Sequence, residues 1–306
     1  MILVRQIPLL ILLGFVLAGS SQAQLFQNLQ SLAQSIPVGS GETDPISGKR
    51  LDGPRWVCAA DFDQDGWMDL FVANVDRETY SLYGNNHDES FEDQAAANEI
   101  AAATRLMSGW GLKFFDFDND GELDLFLANG NPDDLIEHIH SQVKYQEPPI
   151  LFQNVGRHFR NISGQSGPVF SQPLSARGMA IGDFNNDGAV DVLISVNNAA
   201  PVLLRNNVGG QNHWLGIKLV ARKSNPDAVG ARITYQAQDL KRSRMKVGGG
   251  SYLSAHDPRV VLGIGKRTKL DWVEVKWPQP GGTIERFTDL PIDRYVTLVE
   301  GEGKWK

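Results

Sequence analysis

A chain of 306 residues with 36 acidic against 29 basic side chains carries a formal net charge of −7, and a surface so acidic argues against nucleic acid as a partner. Its single cysteine, Cys58, excludes an intrachain disulfide, so stability has to come from packing or from a bound group.

The N-terminus is read first. Arg5 supplies a positive start, Ile7 to Ala18 is an apolar run, and Ser21-Gln22-Ala23 places small residues at the −3 and −1 positions of a cleavage site. Residues 1–23 are therefore predicted to be a secretory signal, because an apolar run of twelve falls short of the roughly 20 residues that span a bilayer. Once Arg5 leaves, the charge becomes −8. The mature protein is expected to be secreted, whether periplasmic, extracellular or at the cell surface, with no later membrane span. Residues 24–50 read as an N-terminal linker, and Cys58, among the apolar residues of Arg55-Trp-Val-Cys-Ala-Ala60, reads as a small buried hydrophobe.

From residue 61 the chain repeats itself. Asp61-Phe-Asp-Gln-Asp-Gly-Trp-Met-Asp69, Asp116-Phe-Asp-Asn-Asp-Gly-Glu-Leu-Asp124 and Asp183-Phe-Asn-Asn-Asp-Gly-Ala-Val-Asp191 align without gaps. Each is followed by an apolar strand-like run (Leu70–Asn74, Leu125–Asn129, Val192–Val196) and then by Leu-x-x-Asn, ending at Asn85, Asn154 and Asn206. The loops start 55 and 67 residues apart, the longer period absorbing an insertion near Asn131 to Pro149. Such a period fits one four-stranded blade per unit.

Side chains at positions 1, 3 and 5 of a tightly curled loop converge, the glycine at position 6 permits the sharp turn, and position 7 offers a backbone carbonyl. So many hard oxygens select calcium, up to three ions. The candidate ligands are Asp61, Asp63, Asp65 and Asp69; Asp116, Asp118, Asp120 and Asp124; and Asp183, Asn185, Asp187 and Asp191, with the carbonyls of Trp67, Glu122 and Ala189. An EF-hand is excluded, since its loop needs Glu at position 12, where this chain has Val72, Leu127 and Ile194 inside β-prone runs.

These units resemble FG-GAP/VCBS repeats, the calcium-loop blades also found in the integrin α-subunit propeller. The likeness includes the entry Ser175-Ala-Arg-Gly-Met-Ala-Ile-Gly-Asp183, the loops and the closing Leu-x-x-Asn segments, and is assigned to residues 51–210. A closed propeller has typically four to eight blades, so three units imply an incomplete propeller, or one completed by another protomer or by degenerate units.

After Asn206 the Asp loops stop. Trp214–Val220, Ala231–Tyr235, Val260–Ile264, Trp272–Trp277 and Tyr295–Val299 read as strands. Asn212-His-Trp-Leu-Gly-Ile-Lys218, Ser224-Asn-Pro-Asp-Ala-Val-Gly-Ala-Arg-Ile233, Gly248-Gly-Gly-Ser-Tyr-Leu-Ser254 and Asp257-Pro-Arg259 resemble the ASPIC/UnbV domain, assigned to 211–303 as a small β-rich, sandwich-like domain. The fold class expected is thus all-β. Lys241-Arg-Ser-Arg-Met-Lys246 reads as the solvated face of a strand, Gly248–Gly250 as a tight turn, and His138 and His140 with Asp133, Asp134 and Glu137 as an exposed polar helix. The resemblance implies adhesion, through a protein or glycan ligand and with self-association as one way to complete the propeller. The alternative is a carbohydrate-active enzyme, a polysaccharide lyase or hydrolase using the repeats as scaffold; the residues show no catalytic motif to assign.

Overall fold

The computed structural model describes residues 56–306; the expected signal 1–23 and linker 24–50 lie outside the described residues. The described chain is all-β and builds five small sheets in a propeller-type arrangement. No helix among the described residues is long and apolar enough to cross a membrane.

Each Asp loop joins the first two strands of one sheet. Strands β1 (Trp56–Ala60), β2 (Asp69–Ala73), β3 (Ser81–Asn85) and β4 (Phe91–Asp93) form the first sheet. The second consists of β5 (Gly109–Phe115), β6 (Asp124–Asn129), β7 (Ile150–Val155) and β8 (His158–Asn161). The third holds only β9 (Ala176–Gly182), β10 (Asp191–Val196) and β11 (Val202–Leu204). Four strands were expected of each unit. After Asn206 the third instead leaves through a 3₁₀ turn at Gly209–Gln211 and never returns to its sheet. The loop register is the same every time: Ala60 pairs with Asp69, Phe115 with Asp124 and Gly182 with Asp191.

The first three sheets stack through their first strands, β1 against β5 and β5 against β9. Strand β6 shows why its sequence runs apolar without alternation. Leu125 and Leu127 enter the core shared with the first sheet, while Phe126 and Ala128 enter the core shared with the third, so both faces are buried. On β10, Val192 and Ile194 are buried whereas Leu193 and Ser195 are exposed, the alternation of a sheet covered on one face.

Seven more strands follow: β12 (His213–Val220), β13 (Arg232–Ala237), β14 (Leu240–Met245), β15 (Val260–Gly265), β16 (Trp272–Lys276), β17 (Ile284–Phe287) and β18 (Tyr295–Val299). They form one sheet ordered β15-β12-β18, with β12 and β18 parallel, and another ordered β14-β13-β16-β17. Both enclose a single core of Leu215, Ile217, Ile233, Tyr235, Leu262, Val273, Trp277, Phe287 and Leu298, among others.

The segment from Gly248 to Asp257 leaves this part and runs along the first strands of all three blades. Ser251 Oγ accepts from Leu112 N (3.2 Å), Asp257 N donates to Ile181 O (2.9 Å), and the Tyr252 ring sits 4.4 Å from that of Trp56 and 4.9 Å from that of Trp110, centroid to centroid. Gly249 and Gly250, at φ of 74° and 107°, make the turn that starts it.

Candidate metal centres and the axial cavity

The loop conformation follows from two residues. Position 4 is left-handed in all three copies (Gln64 62°, Asn119 59°, Asn186 60°), and asparagine tolerates that region better than most side chains. Position 6 has φ of 99° at Gly66, 97° at Gly121 and 86° at Gly188, which only glycine adopts without strain. Side chains then hold the curl. The position-6 N–H donates to the position-1 carboxylate at 3.1, 2.9 and 2.7 Å, and the position-7 N–H of Trp67, Glu122 and Ala189 donates to the position-5 carboxylate at 2.8, 2.7 and 2.9 Å.

In the first two loops the carboxylates of positions 1, 3 and 5 converge. Asp61, Asp63 and Asp65 each present an oxygen within 4.8 Å of the others, as do Asp116, Asp118 and Asp120. Asp61 Oδ1 and Asp116 Oδ1 are buried and lack any hydrogen-bond partner. Buried polar atoms are seldom left unpartnered, and a hard dication seated among three carboxylates would satisfy both. Burial, then repulsion from Asp120 and Asp118, pushes Asp116 up to about 8 against the pull of Arg244; Asp120 rises to about 6 from burial and the nearby Asp118. A bound +2 ion supplies the opposite field and favours the ionised forms. The residues therefore fit a calcium-type ion.

The third loop differs. Asn185 supplies an amide, whose Nδ2 donates to Asp187 Oδ2 at 2.6 Å, and Asp183 Oδ2 accepts from Tyr295 Oη at 2.7 Å. It offers one carboxylate fewer than its sister loops.

Position 9 stands apart from the converging triads. Asp69, Asp124 and Asp191 each accept the position-2 N–H with one oxygen (3.1, 3.1 and 3.2 Å) and the N–H of the closing asparagine with the other (3.0, 2.8 and 2.8 Å). Each thus ties its loop to the third strand of its own blade, or, in the third blade, to Asn206 just past β11. The closing asparagines reach further. Asn154 Nδ2 bonds Leu123 O in its own loop and Phe62 O in the first loop; Asn206 Nδ2 bonds Val190 O and Phe117 O in the second. Every Asp loop after the first is thereby pinned to the one before it.

The C-terminal sheets hold all three loops through arginines. Arg232 Nη2 reaches Gly66 O (3.2 Å), Arg242 Nε and Arg244 Nη2 reach Gly121 O (3.1 and 2.8 Å), and Arg259 Nη2 reaches Asp183 O (2.8 Å). Arg242 also pairs with Glu122, and the buried Arg244 lies 3.8 Å from Asp116. This corrects the reading of 241–246 as a solvated face: Arg244 and Lys246 are 7% and 6% exposed. In a strand, alternate residues share a face, and here that face lies against the blades. The short helix at Ile136–Ile139 carries Glu137, which pairs with Lys144 Nζ at 2.8 Å.

Between blades and C-terminal sheets lies a cavity of about 200 Å³ lined by residues of β1, β5, β9 and the Gly248–Asp257 segment. Cys58, Lys113, Lys246 and His256 face it. Cys58 is buried as expected, and burial pushes its thiol up to about 12. Burial, with Lys246 nearby, brings Lys113 down to about 8, and His256 falls to about 3 from burial and the Lys113 charge. The sequence reading missed Lys113 and His256; the one signal was a lysine inside the apolar run Leu112-Lys-Phe-Phe115.

Residues 61–127 match a family described as FG-GAP-like repeat, and residues 221–304 match ASPIC and UnbV. The chain is similar to cartilage acidic protein 1 of Homo sapiens, 26% identical over 279 residues that cover 75% of this chain and 41% of the relative. The Xenopus tropicalis protein of that name is 23% identical over 304 residues (83% and 46%), and that of Mus musculus 27% over 257 (77% and 36%). The chain spans less than half the length of these curated relatives.

Proposed function

We propose that this chain is an exported calcium-binding repeat protein that mediates adhesion by presenting a face to a protein or glycan ligand. Residues 51–210 are the repeat part and 211–303 a sandwich-like module whose two sheets share one core. Calcium occupies up to three loops, held by positions 1, 3 and 5 and by the carbonyls of Trp67, Glu122 and Ala189, with Asp69, Asp124 and Asp191 bracing or completing each site. The observation that carries the reading is the unpartnered, buried oxygen of Asp61 and of Asp116, each at the convergence of three carboxylates. Likeness to FG-GAP-like repeats supports the choice of calcium.

The exposed face of the third blade supports self-association as the way the propeller is completed: Phe184 is 57%, Leu193 45% and Leu203 54% exposed, and apolar patches of this kind mark contact surfaces. The test is metal analysis of the purified mature protein together with thermal melting in calcium and in chelator. Calcium is expected to raise the melting temperature by several degrees, the size set by the ratio of free ion to Kd. A metal-free protein whose melting is indifferent to calcium overturns the reading.

A further inference from the structure

The axial cavity has a charge imbalance that the metal loops do not explain. Of its lining cations, Arg259 is paired with Asp257 at 2.6 Å, Arg244 lies 3.8 Å from Asp116 and Arg232 3.9 Å from Asp61. The remaining lining carboxylate, Asp183, accepts from Gly188 N and Tyr295 Oη. That leaves Lys113 and Lys246, whose side-chain amines make no ion pair or hydrogen bond among the described residues; Asp227 and Asp257 act on Lys246 only through space. The Cys58 thiol beside Lys113 cannot serve as counter-ion, since burial keeps it protonated well above neutral pH.

His256 adds a third donor. Its Nδ1 accepts from Ile181 N at 3.2 Å, so the proton of the neutral ring sits on Nε2. Nε2 is buried and makes no hydrogen bond of good geometry, although the Gly250 carbonyl is near enough to favour its protonated form. Two of the nitrogens converge on the glycine turn, where a Cβ built on Gly250 would stand 3.2 Å from Lys113 Nζ and 3.7 Å from His256 Nε2, and Lys246 lines the same cavity close enough for its charge to act on both. Glycine at that position, with φ of 107°, keeps the space between the donors open.

We infer that the axial cavity binds a small anion, a carboxylate or oxyanion carrying one or two negative charges, between Lys113 Nζ, Lys246 Nζ and His256 Nε2–H. Two lysines without a counter-ion in a half-closed space are costly to the fold, and a bound anion removes that cost while giving the histidine its acceptor. About 200 Å³ is several times the roughly 30 Å³ that a water occupies in the liquid, which is room for sulfate or a short dicarboxylate. Strands from all five sheets border the cavity, so such an anion would also join blades to C-terminal sheets. The three donors are not calcium ligands, but Asp61, Asp116 and Asp183 of the loops also line the cavity, so calcium is held saturating in the test.

The experiment is calorimetric titration of the full mature chain with sodium sulfate and with sodium succinate. Calcium is held saturating, and sodium chloride serves as a control at matched ionic strength. One anion is expected to bind per chain, with affinity at least tenfold weaker in Lys113→Met and in Lys246→Met. Melting of both variants in chloride should equal or exceed that of the parent, because an unpaired charge has been removed. Should either variant fail to fold, amine acetylation of the parent followed by mass spectrometry gives the second readout, in which sulfate or succinate protects Lys113. Dilution heats alone with unprotected Lys113 overturn the inference, and so does anion-dependent stabilisation of equal size in parent and variants, the behaviour of a general salt effect.

Discussion

At the scale of the single residue, each Asp in the nine-residue loop has its own role, and substitutions separate them. Asp116 sits at position 1 with one oxygen on Gly121 N and the other buried without a partner. Asp116→Asn keeps the shape and removes a charge, so calcium affinity is expected to fall about tenfold or more, the equivalent of about 1.4 kcal/mol. In chelator the same variant should melt no lower than the parent at neutral pH, because burial already holds Asp116 largely protonated without the ion. A second residue gives a pH dependence away from the loops. Glu147 is 2% exposed, and burial, then the nearby Asp76, pushes it up to about 9 despite the Ser108 N–H at 2.7 Å and the charge of Arg177. Its folded-state pKa lies above the unfolded value, so between pH about 4.5 and 9 the folded chain holds a proton that the unfolded chain releases, and stability falls as pH rises through that window. Glu147→Gln mimics the protonated form and should flatten that slope, as urea denaturation at pH 5 and pH 8 would register; an unchanged slope would show that Glu147 is already ionised in the fold.

Strands and loops form the next scale, where much of the architecture was legible. Three in-register Asp loops ahead of apolar runs marked β2, β6 and β10, because a glycine at position 6 and paired carboxylates leave the backbone few alternatives. The five C-terminal strands named from the sequence are all present, within two residues at each end. Leu240–Met245 was read as a strand but with its basic face toward solvent, because Lys, Arg, Ser and Arg in sequence give no hydrophobic alternation to mark the buried side. Ile284–Phe287, with charged residues at its centre, was not legible at all. The parallel pairing of β12 with β18 was equally hidden, being fixed by a core between sheets rather than by any local pattern. What the repeats did offer without its meaning being plain was the closing asparagine. Asn154 is 1% exposed and bonds carbonyls of two different loops, whereas Asn85 reaches only Met68 O in its own. Asn154→Ala should therefore cost roughly 2–3 kcal/mol, the effect of leaving two buried acceptors unmet, and Asn85→Ala about half that, both measured by urea denaturation in calcium. Equal losses would count against the asparagine as a blade-to-blade link.

Over the whole molecule, the C-terminal sheets are the piece that makes three loops one unit. Arg232 and Arg244 come from the paired strands β13 and β14, Arg259 immediately precedes β15, and together they reach the backbone of all three Asp loops. The basic run 241–246 could not be read this way in the sequence, because the acidic surface it meets is assembled from residues more than a hundred positions earlier in the chain. Guanidinium donors on loop carbonyls depend on the loop being curled, and the calcium proposed for it would relieve the repulsion among three carboxylates that works against the curl. Calcium should consequently order β14 as well as the loops, although no β14 side chain is a ligand. Backbone amide exchange in 240–245 is expected to slow severalfold on adding calcium, along with that of residues 116–124, and a single melting transition should carry both parts of the chain. Arg244→Met breaks the coupling at its most buried contact. Its loops should still take up calcium, with exchange in 240–245 now indifferent to the ion. If exchange in that strand ignores calcium in the parent as well, the blades and the C-terminal sheets fold as separate units and the arginines only decorate their boundary.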